Sequence, residues 1–392
     1  MGPFFPLLKF LLPTPASPSM NRIITVLLLA VGSLVVLSLT MLASGTMLKA
    51  GDTQVASQAV ACLVGFVALG IAARIDYHLL QRWAPVLYAL SVVLLGLTLV
   101  IGTSKGGAQR WLWGIQPSEF AKLGVIVGLA AFAARFEHRI SHFFSGVVGM
   151  ASVAALPLAL ILVEPDKGTT ALLLGVTFLM MVVAGVRIWQ VMLPAIACVA
   201  MFAVIILNSE YAMKRVNAFL HPEKNTDGYH QVLQGLYAFG AGGVDGVGLG
   251  MGSFKFNVPE HHTDFIFPVV GEELGLPFTL GVVAVFAIIL VCGALITQSA
   301  PDLFGSLLAG GITFLICGQA LFNLGVVTDL LPNKGIPLPL VSRGGTGVVM
   351  MLCLIGCLVS VARNGVSGTG TVRSRLFGNP FQRSDTDLPE SE

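Results

Sequence analysis

Charged residues are scarce in this sequence: they make up 11% of its 392 residues, whereas 55% are hydrophobic. Soluble domains carry about a quarter charged residues, so the composition excludes an ordinary soluble protein and indicates a membrane protein. The formal net charge is only +2, and the few charges are scattered between apolar runs. This pattern excludes the basic surface that nucleic-acid binding requires, and no nucleic-acid partner is expected.

Signatures of metal and cofactor binding are also missing. The six cysteines all lie in apolar segments, where they are expected to pack as small hydrophobic side chains. Four of the seven histidines lie between residues 209 and 264, without the HExxH spacing of a zinc site. The glycine-rich stretch "GAGGVDGVGLGMG" follows no βα unit and is not a dinucleotide fingerprint. We predict no cofactor and no specific metal site, although assistance by a divalent cation such as Mg²⁺ or Mn²⁺ stays open.

Long apolar runs account for most of the chain. A spanning helix needs about 20 mostly apolar residues, and ten windows meet this requirement. The ten windows are 23–43, 54–74, 83–102, 118–135, 143–163, 169–186, 188–208, 265–297, 303–327 and 340–362. The eighth is long enough to tilt or to project beyond the bilayer. The predicted fold class is therefore an all-α polytopic membrane protein with about ten transmembrane helices.

Lysine and arginine in the short loops favour one orientation. An even number of spans places both termini on one side, and that side collects many of the basic residues, which puts both termini in the cytoplasm. The loop 209–264, between helices 7 and 8, is then the one large extracytoplasmic loop. We predict a cytoplasmic segment 1–22, a membrane domain 23–363 and a disordered cytoplasmic tail 364–392. The leader before Met20 makes a poor signal peptide, and Met20 is an alternative start.

Several cations remain on the predicted outer side, beside Gly/Pro turns. They occur in "SKGGAQRWLWGIQPSE", "EPDKGT" and "LPNKGIPLPLVSRGG". Together these cations would make an outer cavity suited to an anionic headgroup such as a phosphate or a diphosphate. Alternatively, they are ordinary flanking side chains that extend to the aqueous interface. In "EPDKGT" itself, turn chemistry explains most of the pattern, with Thr169 as the expected N-cap of the next helix.

The segment "IQPSEFAKL" places an acid and a base at the start of the fourth span. Pro117 suits the first helical turn, and Glu119 and Lys122 are spaced i,i+3, so that they can pair on one helix face. Such a pair is either purely structural or faces a cavity, where Lys122 would meet substrate or another carboxylate. Charges within a membrane segment favour the functional interpretation.

Carboxylates surround the start of the eighth span, in "PEHHTDFIFPVVGEELG". Asp264 directly precedes the helix and is either its N-cap or a group that handles a substrate proton at the water boundary. Glu272 lies eight residues further along, about 12 Å deeper at 1.5 Å per residue. Because an unpaired carboxylate is unfavourable there, Glu272 and Glu273 are expected to lock helices together or to line a wet cavity. Lys122 and Arg110 are the candidate partners.

Two features suggest close packing around the large loop. Its middle, "QVLQGLYAFGAGG", is apolar and amphipathic, which predicts a short interfacial or re-entrant helix. Gly271 and Gly275 form a GxxxG face on the eighth span, which allows a neighbouring helix to approach closely.

These segments together resemble a known family. "PEHHTDFIFPVVGEELG", "IQPSEFAKL", "EPDKGT" and "LLPNKGIPLPLVSRGG" are similar to the signature segments of the SEDS peptidoglycan glycosyltransferases FtsW, RodA and SpoVE, in the same order over most of residues 23–363. "GEELG" and the lysine of "LPNKG" are more like the division-type members. The resemblance implies polymerisation of lipid II at the outer face of the cytoplasmic (inner) membrane. It also implies a class B penicillin-binding protein transpeptidase as partner, among other divisome or elongasome membrane proteins.

The resemblance also implies roles for individual residues. Asp264 matches the essential aspartate of the family and is the predicted general base. The predicted substrate-binding residues are Arg110, Lys122, Lys334, Glu119, Arg215, His262 and Ser342. The predicted structural or cavity residues are Glu272, Glu273, Glu260, Gln319 and Asn323. The chain departs from the family pattern in "SRGGTG" at 342–347, where "SYGGSS" is usual, and at Pro268, where a small residue is usual.

Two other functions stay open. A lipid-linked precursor flippase would use the same cationic cavity, but it needs alternating access, which usually leaves inverted repeats with interrupted helices in corresponding halves. The sequence shows no such symmetry. A non-catalytic scaffold that recruits a transpeptidase would need Asp264 only as a helix cap.

Overall fold

A computed structural model of the chain describes residues 20–46, 54–105, 108–221, 226–258 and 262–368. In chain order the helices and strands are α1 (Met20–Thr46), α2 (Gln54–Arg74), α3 (Tyr77–Ile101), β1 (Thr103–Lys105), β2 (Ala108–Trp111), α4 (Pro117–Arg135), α5 (Gly149–Val163), α6 (Lys167–Val183), α7 (Ile188–Leu207), α8 (Glu210–Leu220), α9 (Thr226–Gly242), α10 (Phe254–Asn257), α11 (Ile266–Ser299), α12 (Leu303–Val327) and α13 (Gly345–Gly368). A 3₁₀ turn at Glu137–Arg139 and a π-helical turn at Phe144–Val148 lead into α5.

Each of the ten predicted spans corresponds to one helix. Within the described ranges, nine helices are long and apolar enough to cross a membrane, α5 together with its π-helical turn being one of them. The tenth, α6, has 17 residues. The chain is therefore a helical, multi-pass membrane protein, as predicted. The predicted leader, most of the predicted tail and Glu260 lie outside the described residues.

The helices differ in how much of their surface is buried. Most of α4, α12 and α13 is buried, whereas most of α7 is exposed. In an apolar solvent the outward faces of such helices carry the same hydrophobic side chains as the core, so large exposed residues such as Leu29, Val100 and Leu193 are ordinary here. The central position of α4 and α12 matters because both carry polar side chains of the site.

Short polar residues begin three of the helices. Asp76 caps α3, Asp302 caps α12, and Asp166 caps α6, where its carboxylate accepts the amide hydrogen of Thr169 at 3.2 Å. The prediction that Thr169 itself is the cap was therefore wrong by three residues. Pro117 lies in the first turn of α4, as predicted.

The long helix α11 is broken near its N-terminal end. Gly275 has φ 76° and ψ −172°, a conformation that favours glycine because side chains with a Cβ rarely adopt it. A Cβ at this position would overlap the carbonyl oxygen of Val244. The loop bonds the exposed backbone here: Val247 N donates to Glu272 O at 2.9 Å, and Leu276 N donates to Gly243 O at 3.1 Å. The loop thus holds the N-terminal part of α11, where the helix is not continuous, contrary to the simple long helix that the hydropathy window suggests.

The described part of the large loop contains three helices, α8, α9 and α10. The prediction of a helix in "QVLQGLYAFGAGG" is confirmed by α9. This helix packs on α11, since a Cβ at Gly271 would overlap the ring of Phe239. The close approach that the GxxxG spacing predicts therefore involves α9.

Candidate functional site

A narrow polar cavity of about 50 Å³ lies where the loops after β2, α5 and α12 meet. Its lining residues are Arg110, Gln116, Glu119, Lys122, Asp166, Thr169, Leu172, Gln319, Gly335, Ile336 and Pro337. The three turns flagged in the sequence for their cations, around residues 105–119, 164–169 and 331–345, therefore meet in space. The space is enough for water or a small polar group, and a larger headgroup would have to lie across its mouth.

Asp264 lies in the turn before α11 and is half-buried. The N-cap residue of α11 is Phe265, whose side chain makes no capping hydrogen bond, so the interpretation of Asp264 as the N-cap residue was wrong. Asn323 of α12 instead fixes the turn, because its Nδ2 donates to the carbonyl oxygens of Asp264 at 2.8 Å and Ile336 at 2.7 Å. One amide therefore holds the Asp264 turn beside the segment after α12.

The Asp264 carboxylate packs against the backbone of Gly335. A Cβ built at Gly335 would lie 2.5 Å from Asp264 Oδ2, closer than a carbon and an oxygen that are not bonded can approach. Gly335 also lines the cavity. The predicted base therefore lies next to a residue that lines the cavity, beside the segment that carries Lys334.

Cations surround Lys334. Burial is the main cause that lowers the pKa of Lys334 to about 8; the positive charges of Lys167, Arg215 and Arg110 act in the same direction, while Asp166 opposes the change. Desolvation and like charges both disfavour the ammonium form. Residues that are far apart in the chain thus bring several positive charges to one place.

Backbone carbonyls hold two of these cations. Arg110 Nε donates to Glu164 O at 3.2 Å, and a terminal guanidinium nitrogen donates to Pro165 O at 2.6 Å. Arg215 of α8 donates to Asn333 O at 3.2 Å. These contacts tie the large loop and β2 to the rim of the cavity.

Glu119 and Lys122 form the pair that their spacing predicts. Lys122 Nζ lies 2.6 Å from Glu119 Oε1, and both side chains are buried. Lys122 also donates to Gln319 Oε1 at 3.0 Å, while Gln319 Nε2 donates to Pro337 O at 2.9 Å. The pair thus connects α4 to α12 and to the cavity segment, and Glu119 offsets the charge of Lys122.

Glu272 and Glu273 have partners other than the predicted ones. Neither Lys122 nor Arg110 pairs with them. Glu273 Oε1 accepts from Lys255 at 2.9 Å, and its other oxygen accepts from Ser44. Glu272 Oε1 accepts the amide and the hydroxyl of Ser253 at 2.8 and 3.0 Å.

The two carboxylates therefore fasten the end of the large loop to α11 and α1. This differs from lining the cavity, and it explains how two acids are tolerated inside an apolar helix, because buried charges require such partners.

Ser342 and His262 join the turn before α11 to the segment before α13. Ser342 Oγ donates to Thr263 O at 2.6 Å and accepts the amide of Leu338 at 2.7 Å. The amide of Arg343 donates to His262 O at 2.9 Å. These contacts place both residues in the frame behind Asp264.

The structure shows what Arg343, a departure from the family pattern, contacts. The side chain of Arg343 donates to Gln54 of α2 at 2.9 Å. Arg343 therefore replaces the usual aromatic residue with a contact to a neighbouring helix.

Comparisons with known proteins agree with this architecture. The family model of the cell cycle proteins FtsW, RodA and SpoVE matches residues 19–366. The chain belongs to this family. It is 38% identical to a probable peptidoglycan glycosyltransferase FtsW of Trichlorobacter lovleyi over 313 residues, which are 78% of this chain and 82% of the relative. It is 34% identical to stage V sporulation protein E of Bacillus subtilis over 349 residues, 87% of this chain and 95% of the relative.

Solved structures of the FtsW, RodA and SpoVE family share the fold. A chain from a peptidoglycan synthase complex, described for its coordination of polymerization and crosslinking, matches with a TM-score of 0.73 and 26% identity over 86% of this chain and 97% of that one. The rod shape determining protein RodA of Thermus thermophilus matches with a TM-score of 0.64 over 86% and 96% of the two chains, at 24% identity. The latter likeness concerns the fold alone.

Sequence reasoning missed several residues of this family member's cavity. Asp166, Thr169 and Gln116 line it, whereas in the sequence turn chemistry explains Asp166 and Thr169, and no motif predicts a role for Gln116. No sequence motif singles out Lys255, the partner of Glu273. Among the described residues, no group of three or more His, Cys, Asp or Glu side chains could hold a metal ion.

Proposed function

We propose that this protein polymerises lipid II into glycan strands at the outer face of the cytoplasmic membrane, during cell division, with Asp264 as the general base. Its family membership and the glycosyltransferase names of its FtsW relatives support the activity. The relatives named FtsW and the sporulation protein support a division-type role over an elongation-type role.

One observation carries the assignment of the base. The Asp264 carboxylate lies against Gly335, at the edge of a cavity whose surroundings bring together Arg110, Lys167 and Lys334. A carboxylate beside several cations suits a reaction that moves one proton and releases one polyanion.

The chemistry requires few protein groups. A sugar hydroxyl of one lipid II attacks the anomeric carbon of the growing strand, so that a new carbon–oxygen bond forms. The bond from that carbon to the diphosphate breaks, and its electron pair leaves with undecaprenyl diphosphate. Asp264 accepts the hydroxyl proton. Since a diphosphate is acidic enough to depart unprotonated, no general acid is needed, and direct displacement inverts the anomeric carbon.

The cations contribute unequally to stabilising the leaving diphosphate. Arg110 and Lys334 stabilise the charge that develops on the diphosphate. Lys122 contributes less net charge because Glu119 is 2.6 Å from its ammonium group. Its role is better described as holding α4, through Gln319 of α12, beside the cavity segment.

The remaining parts of the proposal follow from the family. Both termini are placed in the cytoplasm, and the cavity faces outward. A class B penicillin-binding protein transpeptidase is the proposed partner, consistent with a fold match that comes from a synthase complex named for polymerization and crosslinking. The proposal also includes the option that a divalent cation such as Mg²⁺ or Mn²⁺ binds the diphosphate.

The test is reconstitution of the purified protein, with its transpeptidase partner, in vesicles containing labelled lipid II. Asp264→Asn and Asp264→Ala are expected to form no polymer while keeping the wild-type thermal melting profile. Asp245→Ala changes an exposed carboxylate of the same loop and is expected to polymerise normally. Polymer from the Asp264 variants at the wild-type rate would overturn the role of the base.

The same vesicles separate the alternative functions. Transbilayer movement of lipid II without polymer would support a flippase, and neither activity would support a scaffold.

A further inference from the structure

Glu164 is a buried acid that the proposed reaction does not use. It is 1% exposed, and neither carboxylate oxygen has a hydrogen-bond partner within the described parts of the chain. Burying an ionised carboxylate without partners is strongly unfavourable, and such a group normally stays neutral. The side chain lies just past the end of its span, which closes at Val163.

The surroundings of Glu164 oppose its ionisation from several directions. It is the C-cap residue of α5, where the negative end of the helix dipole disfavours an anion. Burial and the nearby charge of Asp166 raise its pKa to about 8, against the opposing effect of Arg110. At neutral pH the side chain is therefore a carboxylic acid.

Arg110 is bound in this arrangement by main-chain groups and not by the Glu164 carboxylate. Its guanidinium group is held by the main-chain carbonyls of Glu164 and Pro165, which are dipoles without net charge. The same side chain lines the cavity, so a neutral Glu164 does not offset the charge of Arg110. The other charged groups around the cavity are the paired Glu119 and Lys122, Asp264 beside Gly335, and Lys334 with its neighbours Asp166, Lys167 and Arg215.

We propose that Glu164 tunes the anion affinity of the outer cavity through Arg110: neutral, it leaves the guanidinium charge available to a diphosphate group, and ionised, it offsets that charge and weakens binding. The inference rests on the proposed function, since it assumes that the cavity binds the diphosphate of the lipid-linked substrate. Glu164 is a positioning residue that acts through Arg110, without touching the substrate.

The experiment measures binding of inorganic diphosphate to the full-length protein in detergent micelles by titration calorimetry. Binding is measured at two pH values, about one unit below and about one unit above the pKa of Glu164, which is about 8. Ionisation of the ligand and of Lys334 affects every variant alike, so only the difference between variants is interpreted. Raising the pH ionises Glu164 in the wild type, which adds a unit negative charge at a separation of several ångströms. The loss of diphosphate affinity on raising the pH should therefore be on the order of tenfold smaller in Glu164→Gln than in the wild type.

Controls distinguish this effect from a structural one. Glu137→Gln removes an exposed carboxylate at the opposite end of α4 and should show the wild-type pH dependence. Glu164→Met, which is neutral and of similar length, should match Glu164→Gln and serves if the latter does not fold. An equal affinity loss in the wild type and in a folded Glu164 variant overturns the inference. Absence of diphosphate binding by the wild type at either pH overturns the anion site of the proposed function itself.

Discussion

The buried pair of Lys255 and Glu273 offers a quantitative test of how the large loop is fastened. Both side chains are almost completely inaccessible, with 2% and 0% exposure, and the ammonium and carboxylate groups are 2.9 Å apart. Removing one member of such a pair leaves an uncompensated buried charge, at a cost of about 3–5 kcal/mol. Lys255→Met should therefore lower the free energy of unfolding by about this amount.

The reciprocal change is expected to be milder. In Glu273→Gln the Lys255 ammonium keeps the carbonyls of Gly250 at 2.8 Å and Ser44 at 3.2 Å as acceptors, so the loss should be about 1–3 kcal/mol. The double variant Lys255→Met/Glu273→Gln removes both charges and should be less destabilised than the sum of the single variants by about 2 kcal/mol.

The assay is equilibrium denaturation in detergent micelles, followed by circular dichroism, on the two single variants and the double variant. Lys214→Met changes an exposed lysine of the same loop and should stay within about 0.5 kcal/mol of the wild type. A Lys255→Met variant as stable as this control, or strictly additive single effects, would refute the anchoring role.

Two further predictions concern the frame around Asp264. Gly335→Ala should abolish lipid II polymerisation with little change in thermal melting, because the added Cβ would lie 2.5 Å from Asp264 Oδ2; a wild-type polymerisation rate would contradict the proposed packing. Asn323→Leu should cost about 1–3 kcal/mol for each of two carbonyls left without a donor, those of Asp264 and Ile336. Equilibrium denaturation checks this value, and a loss under about 0.5 kcal/mol would show that the two bonds are dispensable.

Features governed by neighbouring residues could be predicted from the sequence. The ten helices follow from apolar windows because a backbone in lipid must satisfy its own hydrogen bonds. The pairing of Glu119 with Lys122 follows from their i,i+3 spacing, and the structure confirms it at 2.6 Å. The choice of cap at α6 failed because Asp166 and Thr169 are both good capping residues within one turn, and only the path of the chain selects between them.

Features that depend on contacts with a segment distant in the sequence could not be predicted. Glu273 selects Lys255, 18 residues earlier in the sequence, over the cations near the cavity, because the loop turns back against α11. The break at Gly275 had a visible signal in "GLP", since a glycine followed by Leu276 and Pro277 favours a helix interruption. Hydropathy is insensitive to such a break, because both halves remain apolar.

The position of the site follows from complementary hydrogen-bond donors on α12 and acceptors on the segment after it. Pro337 and Pro339 lack an amide hydrogen, so "GIPLPL" cannot satisfy its carbonyls by forming a regular helix. Gln319 and Asn323, spaced i,i+4 on one face of α12, supply the missing donors, reaching the carbonyls of Pro337 at 2.9 Å and Ile336 at 2.7 Å.

Polar amides inside an apolar span require such acceptors, and a proline-containing segment requires such donors. These two hydrogen-bonding requirements fix the position of the segment along α12. Gly335, two residues before Pro337 in the same segment, then has a defined position, and the Asp264 carboxylate packs against it. The position of the proposed base Asp264 beside the cavity segment is therefore a consequence of main-chain hydrogen bonding, and loosening these amides should displace its carboxylate before it unfolds the helices.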